Sequence, residues 1–146
     1  VTRTPYEDTS VTVSRSQDQI RQSLRKAGAE GVSFAEEWNP PKAIVRFLWR
    51  PDEDGAQITV RLEVTPLPAQ GRSAAARERH AEQRWRQAWR GIAWYLDATL
   101  KAAAFGLVRF EDIFLSFIEL PDTRTLGEVV IPQIMAGQLA IGDGES

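Results

Sequence analysis

Residues 84–101 read RWRQAWRGIAWYLDATLK and hold three of the chain's five tryptophans, Trp85, Trp89 and Trp94. Their spacing decides the fold. At about 100° per residue, Ala81, Trp85, Ala88, Trp89, Ile92, Leu96, Thr99, Leu100 and Ala103 fall on one continuous stripe. That stripe predicts a long helix from about Ser73 to Phe105 with one face given to a core. Ala, Arg, Glu and Gln dominate the segment and are good helix formers, while Gly91 weakens it near the middle. Trp85 and Trp89 each have about 200 Å² to bury, enough to anchor the helix on another layer. Trp94 does not fit the stripe. It lies about 180° from Trp85, among Arg86, Arg90, Asp97 and Lys101. Two readings stand for it. Either it packs under the last helix or the N-terminal arm, or it is exposed on a face that meets a partner chain or stacks on a base.

The layer under this helix is written upstream. QITVRLEV, residues 57–64, alternates with Ile58, Val60, Leu62 and Val64 inward and Thr59, Arg61 and Glu63 outward. AIVRFLWR (43–50) and VSFAEEW (32–38) are β-rich in the same way, and PDEDGA (51–56) is a turn by composition. Three antiparallel strands with one solvated face follow. TPLPAQG (65–71) then reads as a linker. Before the strands, SRSQ (14–17) predicts a helix start, with Ser14 and Gln17 as a capping box and Ile20, Leu24 and Ala27 on its apolar face. Its other face carries Gln19, Arg21, Gln22, Arg25 and Lys26. After Gly106, residues 106–120 predict a second helix with Phe110, Ile113, Phe114 and Phe117 as its stripe. PDTRT (121–125) is a turn. Thr125 and Glu128 have capping-box spacing for a short last helix, which Pro132 kinks or ends. The fold class is α+β: an N-terminal helix, a three-stranded antiparallel sheet, a long covering helix and a helical C-terminal extension. Residues 1–13 are expected as a flexible arm, 14–140 as a single α+β domain and 141–146 as an acidic tail.

The totals exclude several chemistries. The chain has 146 residues, 42% hydrophobic and 26% charged, a net charge of −2 and no cysteine. Disulfides, thiolate metal sites and cysteine nucleophiles are therefore absent. No apolar run reaches the roughly 18–20 residues of a membrane span, and the first residues carry no signal-peptide core, so a cytoplasmic, non-membrane protein of a bacterial host cell is expected. A net charge of −2 gives no whole-protein attraction to nucleic acid, so a basic patch would have to be local.

The one concentrated positive stretch is Arg72, Arg77, Arg79, His80 and Arg84, continued by Arg86, Arg90 and Lys101 around Trp94. Arg77, Glu78, Arg79 and Glu82 can simply pair along a solvated helix. A helix N-terminus with arginines is also a phosphate site. The order helix, three strands, helix is that of a double-stranded RNA-binding domain, although the lysine cluster of that domain is missing. His80, the only histidine, has no nucleophile and orienting partner near it in sequence. Glu36, Glu37 and Glu63 with Lys42 are the residues a metal-dependent nuclease would need, but solvated strand positions explain them more simply. Asp52 to Gly55 lacks the ligand spacing of a calcium loop. No catalytic residue, metal ligand or cofactor is assigned.

Residues 85–134 resemble a family of small uncharacterised proteins of bacteriophages and bacterial mobile elements. The resemblance runs through Trp89-Arg90, Leu100-Lys101-Ala102, Gly106, Phe110-Glu111, Phe114-Leu115, Pro121-Asp122, Arg124-Thr125 and Gly127-Glu128, with Thr123 where the pattern has glycine. It implies a phage or prophage origin and an intracellular role, and it supplies no activity. The expectation is a non-enzymatic accessory protein that binds through Arg72, Arg77, Arg79, Arg84, Arg86, Arg90, Trp94 and Lys101. Its partner is nucleic acid or a nucleoprotein complex, or alternatively a protein partner or a second copy in a homodimer.

Overall fold

The structure is a computed structural model that describes residues 3–138, so the acidic tail lies outside the described residues. Its order is α1 (Val13–Ala27), β1 (Gly31–Trp38), β2 (Pro41–Trp49), β3 (Ile58–Val64), α2 (Ala74–Ala104), α3 (Phe110–Phe114), a 3-10 turn (Leu115–Phe117) and α4 (Leu126–Met135). The fold is the expected mix of α and β.

The strands form one antiparallel sheet in the order β1-β2-β3. Val45 faces Phe34 on one side and Leu62 on the other, and Phe47 likewise faces Val32 and Val60. Those residues share one side of the pleat and make the inner face. Trp89, Ile92, Ala93 and Leu96 of α2 lie against that face with Ile20 and Leu24 of α1, and Trp89 and Leu96 are fully buried. The Trp89 and Phe34 rings pack in a T-shape, centroids 5.7 Å apart. Its Nε1–H donates to Glu36 Oε1 at 3.1 Å, satisfying the polar atom of a side chain that has no other surface.

Helix α2 begins within a residue of where it is expected, and Ser73 caps it, its hydroxyl accepting from the Ala76 N–H. Thr125 caps α4 by accepting from the Glu128 N–H. The cap of α1 is Thr12, not Ser14: the Thr12 hydroxyl accepts from the Arg15 N–H, which starts the helix two residues earlier. Gly28 ends it in the left-handed conformation at φ 90°.

The C-terminal extension departs most from expectation. The helix expected over 106–120 shrinks to five residues at Phe110–Phe114, then a 3-10 turn. Phe110 and Phe114 still reach the core, packing on Phe47 and Trp49. Beyond Phe117 the chain extends because a better backbone partner is present. Ile118 bridges Val60 at the β3 edge, and the Glu119 N–H donates to the Thr59 carbonyl at 2.8 Å. Helix α4 also runs through Pro132 to Met135 rather than stopping there. Gly127 lies tight against the 3-10 turn, where a Cβ would come within 2.8 Å of the Ser116 carbonyl.

The outer face of the sheet is only partly solvated. Arg61 is 8% exposed under the returning extension. Its guanidinium donates to Glu119 Oε1 (3.4 Å), the Thr123 carbonyl (2.5 Å) and Glu128 Oε1 (2.5 Å), and its Nε sits 3.1 Å from Glu63 Oε1. Arg46, its cross-strand neighbour, pairs with the second oxygen of Glu119 at 3.5 Å. A basic strand residue thus ties the C-terminal extension onto the sheet.

Candidate functional site

Helix α2 spans 31 residues, about 46 Å, and different neighbours cover different parts of its outer side. Near the middle, residues 4–9 lie across it. The Gln83 amide donates to the carbonyls of Glu7 (3.1 Å) and Thr9 (2.8 Å), and that of Gln87 to the Thr4 hydroxyl and the Pro5 carbonyl, both at 2.8 Å. Each amide also accepts from an arginine: Gln83 from Arg86 at 2.5 and 3.1 Å, Gln87 from Arg84 at 2.9 Å. Glutamine suits this relay because one end donates and the other accepts. The segment expected as a flexible arm is therefore docked. Arg84 and Arg86, expected as contact residues, are instead half-buried parts of its anchorage.

The docked segment ends at Arg90. The guanidinium of Arg90 stands 5.2 Å from the centre of the Tyr6 ring and donates to Gln19 Oε1 of α1 at 2.7 Å. From there toward the C-terminal ends of both helices, α1 and α2 flank a groove of about 420 Å³. Gln19, Gln22, Ser23 and Lys26 line it from α1, and Arg90, Trp94, Asp97 and Lys101 from α2. Trp94 is 55% exposed. Among the described residues neither the arm nor the last helix covers Trp94, so it is exposed rather than packed beneath them. Ala93, outside the expected stripe, is buried because α1 packs there.

The groove is cationic. Lys26, Arg90 and Lys101 face a single carboxylate, Asp97, whose Oδ2 accepts from Lys101 Nζ at 3.0 Å. Helix α1 also carries Arg15, Arg21 and Arg25 outside the groove lining; Arg21 turns to the sheet, its guanidinium 4.8 Å from the Phe34 ring centre and bonded to Asp18 at 2.7 Å. Lys26, Arg25 and Arg15 have no ion-pair partner among the described residues. A net charge of −2 therefore coexists with a locally positive groove.

The other candidates lie elsewhere. Arg72, Arg77 and Arg79 are exposed at the start of α2, and Arg77 is about 25 Å along the helix from Trp94. Arg77 donates to the Gly71 carbonyl at 3.2 Å. His80 Nδ1 accepts from the Gln70 N–H at 2.7 Å, holding the linker to the helix. The acids a nuclease would need are not brought together. Glu36 lies on the inner-face side of β1 and is engaged by Trp89. Glu37 lies on the opposite side, and Glu63 pairs with Arg61 and with Lys42 at 3.6 Å. Among the described residues, no group of three His, Asp or Glu side chains is placed to hold a metal ion. No helix among them is long and apolar enough to cross a membrane.

Of the eight expected contact residues, the structure gathers Arg90, Trp94 and Lys101. The α1 wall of Gln19, Gln22, Ser23 and Lys26 was missed. Its signal was the cationic face of α1, which the sequence shows without saying that it lies beside Trp94. Comparison with models of known protein families, with curated proteins and with solved structures finds no match.

Proposed function

We propose that this is a non-enzymatic binding protein that takes nucleic acid, free or within a nucleoprotein complex, on the α1–α2 face. The observation that carries the reading is the half-exposed indole of Trp94 in a groove flanked by Lys26, Arg90 and Lys101. Exposed tryptophan is costly to leave in water, and cations with an aromatic among them suit a polyanion with flat bases. The resemblance in residues 85–134 supports placing it as an accessory factor of a phage or mobile element acting inside a bacterial cell.

The test is a titration of labelled DNA and RNA oligonucleotides over a range of salt. Log affinity should fall linearly with log salt. Lys26→Ala and Arg90→Ala should each weaken binding and lower the slope by about one phosphate contact. Absence of binding, or binding indifferent to salt, would overturn the proposal.

A protein partner is the second reading, and a separate surface favours it. Ile131, Ile134 and Met135 of α4 are 49–82% exposed, as are Phe105 and Leu107 between α2 and α3. If that surface is used, Ile131→Glu should lower the oligomeric mass in light scattering or abolish partner capture without changing oligonucleotide affinity.

A further inference from the structure

We infer that the groove selects single-stranded nucleic acid and holds one unstacked nucleotide, its base lying on Trp94. This deepens the nucleic-acid reading above and rests on it. In a duplex the base faces are hidden in the stack, so an exposed indole gains little from paired bases. A splayed base offers its whole face.

The dimensions agree. A volume of about 420 Å³ is that of a pocket for one small ligand, and the walls are helices rather than an open plane. Arg90 and Lys101 are eleven residues apart on α2, about 16 Å along the axis, with Trp94 between them. Lys26 adds a third charge from the facing helix. A strand laid along the groove would therefore meet a cation on either side of the stacked base.

The one anion fixes which part of the nucleotide goes where. Asp97 is three residues beyond Trp94, about one helical turn away, and keeps a hydrogen bond to Lys101. Its carboxylate repels a phosphate, so the backbone belongs at Arg90 and Lys26, the lining cations without a carboxylate partner among the described residues, and the base edge belongs toward Asp97. Gln19 and Gln22 on the opposite wall can both donate to and accept from a base edge. Amides of that kind tolerate several bases, so a preference for strandedness should exceed any preference for sequence.

The experiment uses the full chain with 20-mers of one sequence as single-stranded DNA, single-stranded RNA and duplex DNA, measured by anisotropy and by tryptophan quenching. One or both single strands should bind at least tenfold tighter than the duplex and quench the emission. Which strand binds tighter distinguishes RNA from DNA as the ligand. Trp94→Ala should lose about 5- to 150-fold on the single strand, the range expected for one base–aromatic stack, and much less on the duplex. Trp94→Phe should restore part of it. Equal affinity for single strand and duplex, with no quenching, would overturn this inference and leave the broader proposal standing. Binding to none of the three would overturn both. The strand comparison and the quenching use the unmodified protein, so they decide the matter even if a Trp94 variant folds poorly.

Discussion

Replacing Arg61 with methionine keeps an unbranched apolar stem as far as the position of Nε and deletes the guanidinium. The structure sets the cost. Arg61 is 8% exposed and serves the Thr123 carbonyl, Glu119, Glu128 and Glu63 together. Breaking a buried ion pair from one side costs about 3–5 kcal/mol. Here the value belongs at the lower end, because the partners differ in their access to water. Glu128 and Glu63 are 49% and 32% exposed and can be rehydrated. Glu119 is 15% exposed and keeps Arg46. The Thr123 carbonyl loses a close donor, worth about 1–3 kcal/mol if nothing replaces it. The expected loss is about 3 kcal/mol. In a chain of this size, that corresponds to a midpoint about 6–12 °C lower in thermal unfolding. Circular dichroism measures the midpoint, and amide exchange locates the effect: the Glu119 N–H, bonded to Thr59, should lose protection before the β2–β3 ladder does. Adding Glu119→Gln to Arg61→Met should cost less than the two single changes summed, because the Arg61–Glu119 contact is lost in either single variant and can be lost only once. A stability change within about 0.5 kcal/mol would refute the view that Arg61 holds the extension on the sheet, since that is the range of an ordinary surface substitution.

Three further outcomes follow from single features. Thr123 has φ 73°, a conformation that disfavours a β-branched residue, so Thr123→Gly should raise stability by about 0.5–1 kcal/mol in urea unfolding; a loss would show that the threonine is not strained. The Ser16 hydroxyl is fully buried and has no partner among the described residues, so Ser16→Ala should stabilise by about 1 kcal/mol, and destabilisation would reveal an unrecognised partner. Hydrogen bonds from Arg124 hold the Asp122 carboxyl below its usual range. Burial pushes the Glu128 carboxyl up, but hydrogen bonds with Arg61 and Thr125 outweigh it and leave that group lowered as well. A lowered carboxyl contributes stability above its unfolded value, about 4, and loses it as pH falls through the folded value. The midpoint should therefore drop between about pH 5 and 3, and by less in Asp122→Asn/Glu128→Gln; an identical drop in that variant would move the acid sensitivity elsewhere.

The sheet and α2 were legible because their signals are periodic and local. Alternation marks Ile58 to Val64 as half-buried, and the 3.6-residue stripe marks Trp85, Trp89 and Leu96 as core. What covers the remaining faces was not legible. Arg61 sits at an outward position of its strand and is buried anyway, because a segment nearly sixty residues later folds over it. Gln87 and Ala93 lie off the stripe and are buried by residues 4–9 and by α1. Helical periodicity over 106–120 was real as far as Phe114. It was then overridden by the open edge of β3, a partner that local propensity does not register. The same limit governed the site. Trp94 stood out as the residue that did not fit, and half of its groove comes from α1, about seventy residues away in sequence.

The bridge between Ile118 and Val60 also bears on how the protein avoids clumping. By turning back at β3, the chain occupies the stretch of its edge around Thr59 and Val60 that a foreign strand would otherwise use. At the other side of the sheet, β1 has no strand along its outer edge among the described residues. Its outer half carries two adjacent carboxylates, Glu36 and Glu37, on opposite sides of the pleat. A second copy adding there edge to edge in parallel register would set like charge against like charge on both faces. One edge of the sheet is partly covered by the chain's own C-terminal segment, and the other is kept from parallel self-stacking by its charge.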